Sequence, residues 1–221
     1  RRKIVLSDEK MVDLKWLSYW CRVPYMTDSQ FLQRNVSANF PNIGTETWAK
    51  TFRFAQPNAA EPKPNAQEVA LLILHPVDGT IVFLNSRIAL TEAQNRWAGT
   101  GSTLTHDNAD AFRHAFWMAM NASVMSESVA RAFGEAHESD TPAPLALAKT
   151  MDLFNNNQGI AFGVYIHNTG NTRTSAQIAD DVDQLRKDGN FRKLVPLDFP
   201  NYPDSEGIIP GVTQLVPTTP N

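Results

Sequence analysis

The sequence predicts a mainly α-helical protein, a helical bundle with an irregular N-terminal region and an extended C-terminal tail. Three observations carry that expectation. Apolar residues recur at helical spacing in successive segments after Gly101. Serine, aspartate and proline stand where those segments would start. The composition, 42% apolar and 19% charged over 221 residues, is that of an ordinary globular chain, long enough for one sizeable core or a core with a smaller appendage.

Taken in order, residues 7–21 read as an amphipathic helix capped by Ser7 or Asp8, with Met11, Leu14, Leu17 and Cys21 at helical spacing. Pro24, Pro41 and Gly44 punctuate an irregular stretch, and residues 57–66 read as a surface linker. The run that follows allows two readings. Asp78-Gly79 between two apolar stretches is a hairpin cue, giving a small β-hairpin near 69–84. The other reading is a helix ending near His75 and a second from Thr80 to Trp97, which Arg87, Ala89, Leu90, Glu92 and Ala93 favour. Helices are expected over 107–125, from Ser126 to about Glu138, from Pro144 to at least Gln158, and over 176–188 with Ser175 as cap and Gly189 as stop. From Leu194 onward the prolines suggest an extended or poorly ordered tail. The expected organisation is 1–60 as an N-terminal helix and irregular segment, 67–190 as a helical catalytic domain, and 191–221 as tail.

A net charge of -3 offers no basic field for a nucleic-acid backbone. The single cysteine, Cys21, excludes an intrachain disulfide. No apolar run reaches the ~20 residues of a membrane span, and no signal-peptide pattern opens the chain. The first residue, Arg1, suggests a processed product or an excised domain.

The chemistry concentrates between His106 and Asn157. On the helix starting at 107, Asp107, Asp110, His114, Trp117 and Asn121 share one stripe, with Asp107 and Asn121 roughly 20° and Asp110 roughly 40° from His114 by helix phase. A solvated face would carry Lys and Glu, and a core face would lack Asp and His. Next, His137 sits at the edge of the face made by Val129, Ala132, Phe133 and Ala136. Glu138 points away from that face unless the helix ends there. Finally, Asp152, Asn155 and Asn156 share a stripe with Leu145, Ala148, Gly159 and Gly163. Asparagine and glycine are poor helix formers. Two explanations stand: close approach of another backbone, or a helix that ends near Asn155 in a polar turn.

The segments HDNADAFRHAFW, FGEAHE and MDLFNNNQG resemble a domain of unknown function found at the C-terminal ends of bacterial Rhs/YD-repeat and related polymorphic toxins. The likeness covers roughly residues 85–163. It maps His106, Asp110, Arg113, His114, Trp117, His137, Glu138, Asp152, Asn155 and Asn156 onto that family's polar positions. Phe154 stands where the family often has His. The resemblance implies context and no activity: an effector secreted or delivered into a target cell, with a cognate immunity protein as partner. The Asp110–His114 spacing is also similar to phospholipases A2, but Ala115 replaces their calcium-binding aspartate and their cysteines are absent.

Three functions follow. In a metal-dependent hydrolase, His114, His137 and Asp152, with His106 or Asp110 as a further ligand, hold Zn²⁺ or a similar divalent ion. Glu138 or Asp110 takes the proton of water, and Arg113 neutralises an anionic group. Asn155, Asn156 and Trp117 serve the substrate side, the amides orienting and not transferring protons. The substrate is a phosphoester or lipid-linked, envelope-associated molecule. A metal-free cell-wall glycosidase would use Glu135, Glu138 or Asp152. A non-enzymatic module would use His114, His137 and Asp152 as a buried network pinning three helices.

Overall fold

The computed structural model describes residues 64–170 and 172–220. The chain divides into two compact units, Arg1–Ala60 and Glu61–Asn221, and the second is the one described. The helix expected over 7–21, and the linker up to residue 63, lie outside the described residues.

Helix α1 spans Ala66–Leu74, and Asn65 begins it. The Asn65 side chain accepts from the backbone N–H of Gln67 and Glu68, while Glu68 accepts from the Asn65 N–H, a reciprocal capping box. Helix α2 spans Pro76–Arg96, with proline in its first turn, where a missing N–H costs nothing. The expected hairpin over 69–84 does not form. Asp78-Gly79 lies in the first turn of α2, where the acid suits the positive helix end. Gly79 is buried, and a side chain there would run into Leu72 and Phe133. Its smallness serves packing instead of a turn.

Helix α3, Asn108–Val124, is the centre of the unit, with thirteen of its seventeen residues buried. Asp107 caps it by accepting from the N–H of Ala109 and Asp110. Helix α4, Glu127–His137, is capped by Ser126. A 3-10 turn, Ala143–Leu145, leads into α5, Ala146–Thr169, which ends at Gly170 in the left-handed conformation. So α5 does not stop near Asn155. Gly159 and Gly163 explain why: a Cβ at either would collide with the backbone carbonyl of Ala115 or Ala119 on α3. Two backbones touch there, and only glycine permits it. Helix α6, Ser175–Lys187, is capped by Thr174 rather than Ser175, with Gln177 completing a capping box.

Of the two states expected for the tail, it takes the extended one. Strands β1 (Arg192–Val195) and β2 (Gln214–Pro217) pair antiparallel, Leu194 opposite Leu215. Leu194 and Ile208 are buried in a small apolar cluster with Ala148 and Met151 of α5. That burial, with hydrogen bonds from Thr218 to Phe191 and Arg186, holds a proline-rich segment in place. No helix among the described residues is long and apolar enough to cross a membrane.

Candidate metal centre

The α3–α5 contact places Asp110 and His114 against Asp152. One ligand atom from each lies within 4.8 Å of the others, a group able to hold a metal ion. His114 Nε2 is 3.6 Å from Asp110 Oδ1 and 3.4 Å from Asp152 Oδ1. Helix spacing explains the first distance, since i and i+4 stack on one face. The glycine contact two to three turns beyond Asp152 explains the second, because it draws α5 onto α3.

The protonation of His114 follows from its neighbours. Arg113 Nη2 approaches Nε2 at 2.9 Å, and a guanidinium can only donate. Nε2 therefore carries the lone pair, and Nδ1–H donates to Asn156 Oδ1 at 3.2 Å. Burial, then the Arg113 charge, pushes the His114 pKa down to about 3, so the ring is neutral near pH 7. Burial also works against the Asp110 carboxylate. The Arg113 and His114 charges, the 2.5 Å bond from Arg113 and the 2.7 Å bond from the His106 N–H together outweigh it and hold Asp110 below the ordinary range.

Asp152 is different. Burial and the charges of Asp110 and Glu138 push its carboxyl well above the usual value. Glu138, also buried, is pushed up mainly by burial. Asp152 Oδ1, Glu138 Oε1 and Asn156 Nδ2 are buried with no hydrogen-bond partner. Two carboxylate oxygens facing an imidazole lone pair, one of them unpaired, suit a divalent cation and disfavour an empty apolar packing role. Glu138 turns inward because α4 ends at His137, leaving Glu138 as its C-cap. Arg113 keeps 30% of its side chain exposed and Asp152 12%, so solvent reaches the group from their side.

Four expected site residues have other work. His137 does not join the ligands: it pairs with Glu68 at 2.9 Å, packs its ring against Trp117, and stands 6.2 Å, ring to ring, from His114. Glu68 reaches it because the capping box fixes α1 beside the end of α4, where Asn65 donates to the Ala136 carbonyl. Trp117 donates to the Val82 carbonyl and is core, not substrate contact. Asn155 is fully buried with both amide atoms on the Arg192 backbone, accepting its N–H and donating to its carbonyl. His106 lies outside the three-ligand group, on the far side of Asp110, Nδ1 3.7 Å from Asp110 Oδ2. Asn156 orients His114, as its amide chemistry suggests.

One residue near the site escaped sequence reading. Glu206, in the tail, sits 3.0 Å from His106 Nε2, and its charge is among those raising the Asp152 carboxyl. No pattern in the tail marks it. Glu68 did have a signal, the Asn65-x-x-Glu68 spacing of a capping box.

Comparison with curated proteins and with solved structures gives no match. A family model does match, over residues 69–190, and its description is a domain of unknown function, DUF6973. The span covers more than half of the chain and includes Asp110, His114, Glu138 and Asp152 while stopping short of Glu206. The chain belongs to the DUF6973 family.

Proposed function

We infer that this domain is a metal-dependent hydrolase acting on a phosphoester or lipid-linked substrate, used as a bacterial effector. The observation that carries the reading is the convergence of Asp110, His114 and Asp152, one ligand atom from each, beside two buried carboxylate oxygens, Asp152 Oδ1 and Glu138 Oε1, that have no hydrogen-bond partner. Asp110, His114 and Asp152 would hold Zn²⁺ or a similar divalent ion. Such an ion supplies Lewis acidity toward water and toward the phosphoryl or acyl oxygen under attack. Glu138, with a raised pKa and a free Oε1, takes the proton of the attacking water. Arg113, the most exposed charged group of the cluster, meets the anionic part of the substrate. Asn156 keeps His114 in the tautomer that leaves Nε2 free of a proton. The effector context, with an immunity protein as partner and delivery into a target cell, rests on the three motifs alone.

A buried structural network is the second reading. It is favoured by both His114 nitrogens having protein partners, Asn156 and Arg113. Against it stand Asp152 and Glu138, which a purely stabilising network would not leave unpaired. The test combines metal analysis of the purified protein with hydrolysis of a chromogenic phosphodiester. The hydrolase reading expects one equivalent of metal, and loss of turnover in His114→Ala with helical circular dichroism kept. A soluble, cooperatively folded His114→Ala protein with undiminished hydrolysis defeats it. Absence of metal and of turnover, with His114→Ala unfolding, makes the network the answer.

A further inference from the structure

We propose that the C-terminal tail is a clamp on the metal centre, with Glu206 and His106 as positioning residues that hold Asp110 in its ligating orientation. The inference rests on the metal reading above. His106 is the junction. Its backbone N–H donates to Asp110 Oδ2 at 2.7 Å, and its carbonyl accepts the N–H of Leu194 in β1 at 2.8 Å. Its buried imidazole lies between Glu206 Oε2, 3.0 Å from Nε2, and Asp110 Oδ2, 3.7 Å from Nδ1. One residue therefore ties tail to ligand through backbone hydrogen bonds, and its ring, neither nitrogen of which makes a hydrogen bond, lies within ion-pair distance of both carboxylates.

The backbone at this junction is unusual. His106 and Glu206 both adopt left-handed conformations, φ 60° and 51°, which L residues other than glycine rarely take. Two such residues meeting side chain to side chain beside a ligand indicate strain held in place by the surrounding structure. The tail also grips the second ligand helix. Asn155, three residues after Asp152, holds the Arg192 backbone by two hydrogen bonds. Both ligand-bearing helices are thus bridged by β1.

Carboxylate and histidine groups behind a metal ligand fix its orientation, and removing one costs about 10–100-fold in metal affinity. The experiment titrates Zn²⁺ against a chromogenic chelator in the full chain, comparing wild type with Glu206→Ala, His106→Ala, the double variant and Asp152→Asn. Glu206 is half exposed, so its alanine variant keeps the wild-type melting temperature within a few degrees. The clamp expects Glu206→Ala to bind Zn²⁺ about 10-fold more weakly, and the double variant to bind like His106→Ala, since Glu206 acts through His106. Wild-type affinity in Glu206→Ala, with binding lost in Asp152→Asn, overturns the clamp and leaves the metal reading standing. Additive losses in the double variant overturn the relay through His106. Failure of wild type to bind Zn²⁺, or binding unchanged in Asp152→Asn, overturns the metal reading and the clamp with it.

Discussion

Two clusters of buried charge lie within the same unit and are built in opposite ways. Around α6, Arg186 is almost fully buried, yet every charged group there is answered. Arg186 donates to Asp183 Oδ1 and to the Thr219 carbonyl, each at 2.7 Å, and its guanidinium lies over the Trp97 ring. Lys187 takes the other Asp183 oxygen at 2.7 Å. Burial opposes the Asp183 carboxylate, but the bonds from Lys187 and Arg186 outweigh it and its pKa falls. Around α3 and α5, Asp110, Glu138 and Asp152 have, among the described residues, Arg113 as their nearby permanent cation, and Asp152 and Glu138 keep unpaired oxygens. The first cluster is closed and joins elements together. The second is left open at a cost in stability, and a ligand is the physical reason to tolerate that cost.

The largest expected effect comes from opening the closed cluster. Arg186→Ala strips Asp183 of its buried partner, removes the stacking on Trp97 and frees the Thr219 carbonyl. Breaking a buried pair in this way costs about 3–5 kcal/mol, since the remaining charge stays buried. Urea unfolding followed by circular dichroism reads it as a lower midpoint at unchanged slope. A loss under about 1 kcal/mol would mean that Lys187 alone suffices, and the clusters would then differ less than their geometry implies.

The contrast between the clusters also marks what sequence could and could not tell. Helix phase places Asp110 and His114 together, and the asparagine–glycine stripe of α5 signals a close backbone neighbour, because both are local properties of one helix. Helix phase does not say where a stripe changes environment. Asp110 and His114 enter the site, whereas Trp117 and Asn121 on the same stripe bond to Val82 and Asn85 in the core. His137 is diverted by Glu68, sixty-nine residues earlier, and Glu138 turns inward only because α4 stops where it does. The sequence leaves the tail open between extended and poorly ordered, because proline suppresses regular elements. Its order comes from tertiary burial of Leu194 and Ile208, which no local pattern encodes.

Acid titration separates the clusters at intermediate magnitude. His114 has its folded pKa pushed from an ordinary 6.5 down to about 3. A depressed histidine favours the neutral ring, so its contribution is fully present above pH 6.5 and is lost as pH falls toward 3. Between pH 6.5 and 4.5 the loss amounts to about 2 kcal/mol. The check is unfolding free energy against pH for wild type and His114→Gln in chelator. The variant curve is flatter by that amount, while Arg186→Ala, which touches no group titrating there, parallels wild type. Parallel curves for wild type and His114→Gln would show that water solvates His114 in the folded protein.

The smallest effect has the opposite sign. Asp152→Asn keeps the shape of the side chain while removing a charge disfavoured by burial and by Asp110 and Glu138. The new amide can donate toward His114 Nε2, 3.4 Å from Asp152 Oδ1, adding a donor beside the one that Arg113 already supplies to Nε2 and to Asp110 Oδ1. The folded pKa of Asp152 is raised, so its favourable contribution is complete below the ordinary 3.8 and is lost as pH rises through the folded value. Metal-free Asp152→Asn is therefore more stable than wild type at neutral pH, by about 2–4 °C in melting temperature per kcal/mol relieved, and the gain disappears in acid. Saturating Zn²⁺ reverses the order, because wild type alone gains binding free energy, about 2.7 kcal/mol at a hundred times Kd. The equivalent change in the closed cluster, Asp183→Asn, destabilises under all these conditions because it removes a carboxylate that three cations answer. Loss of stability in metal-free Asp152→Asn at neutral pH would place Asp152 in the same class as Asp183, and the open cluster would be structural.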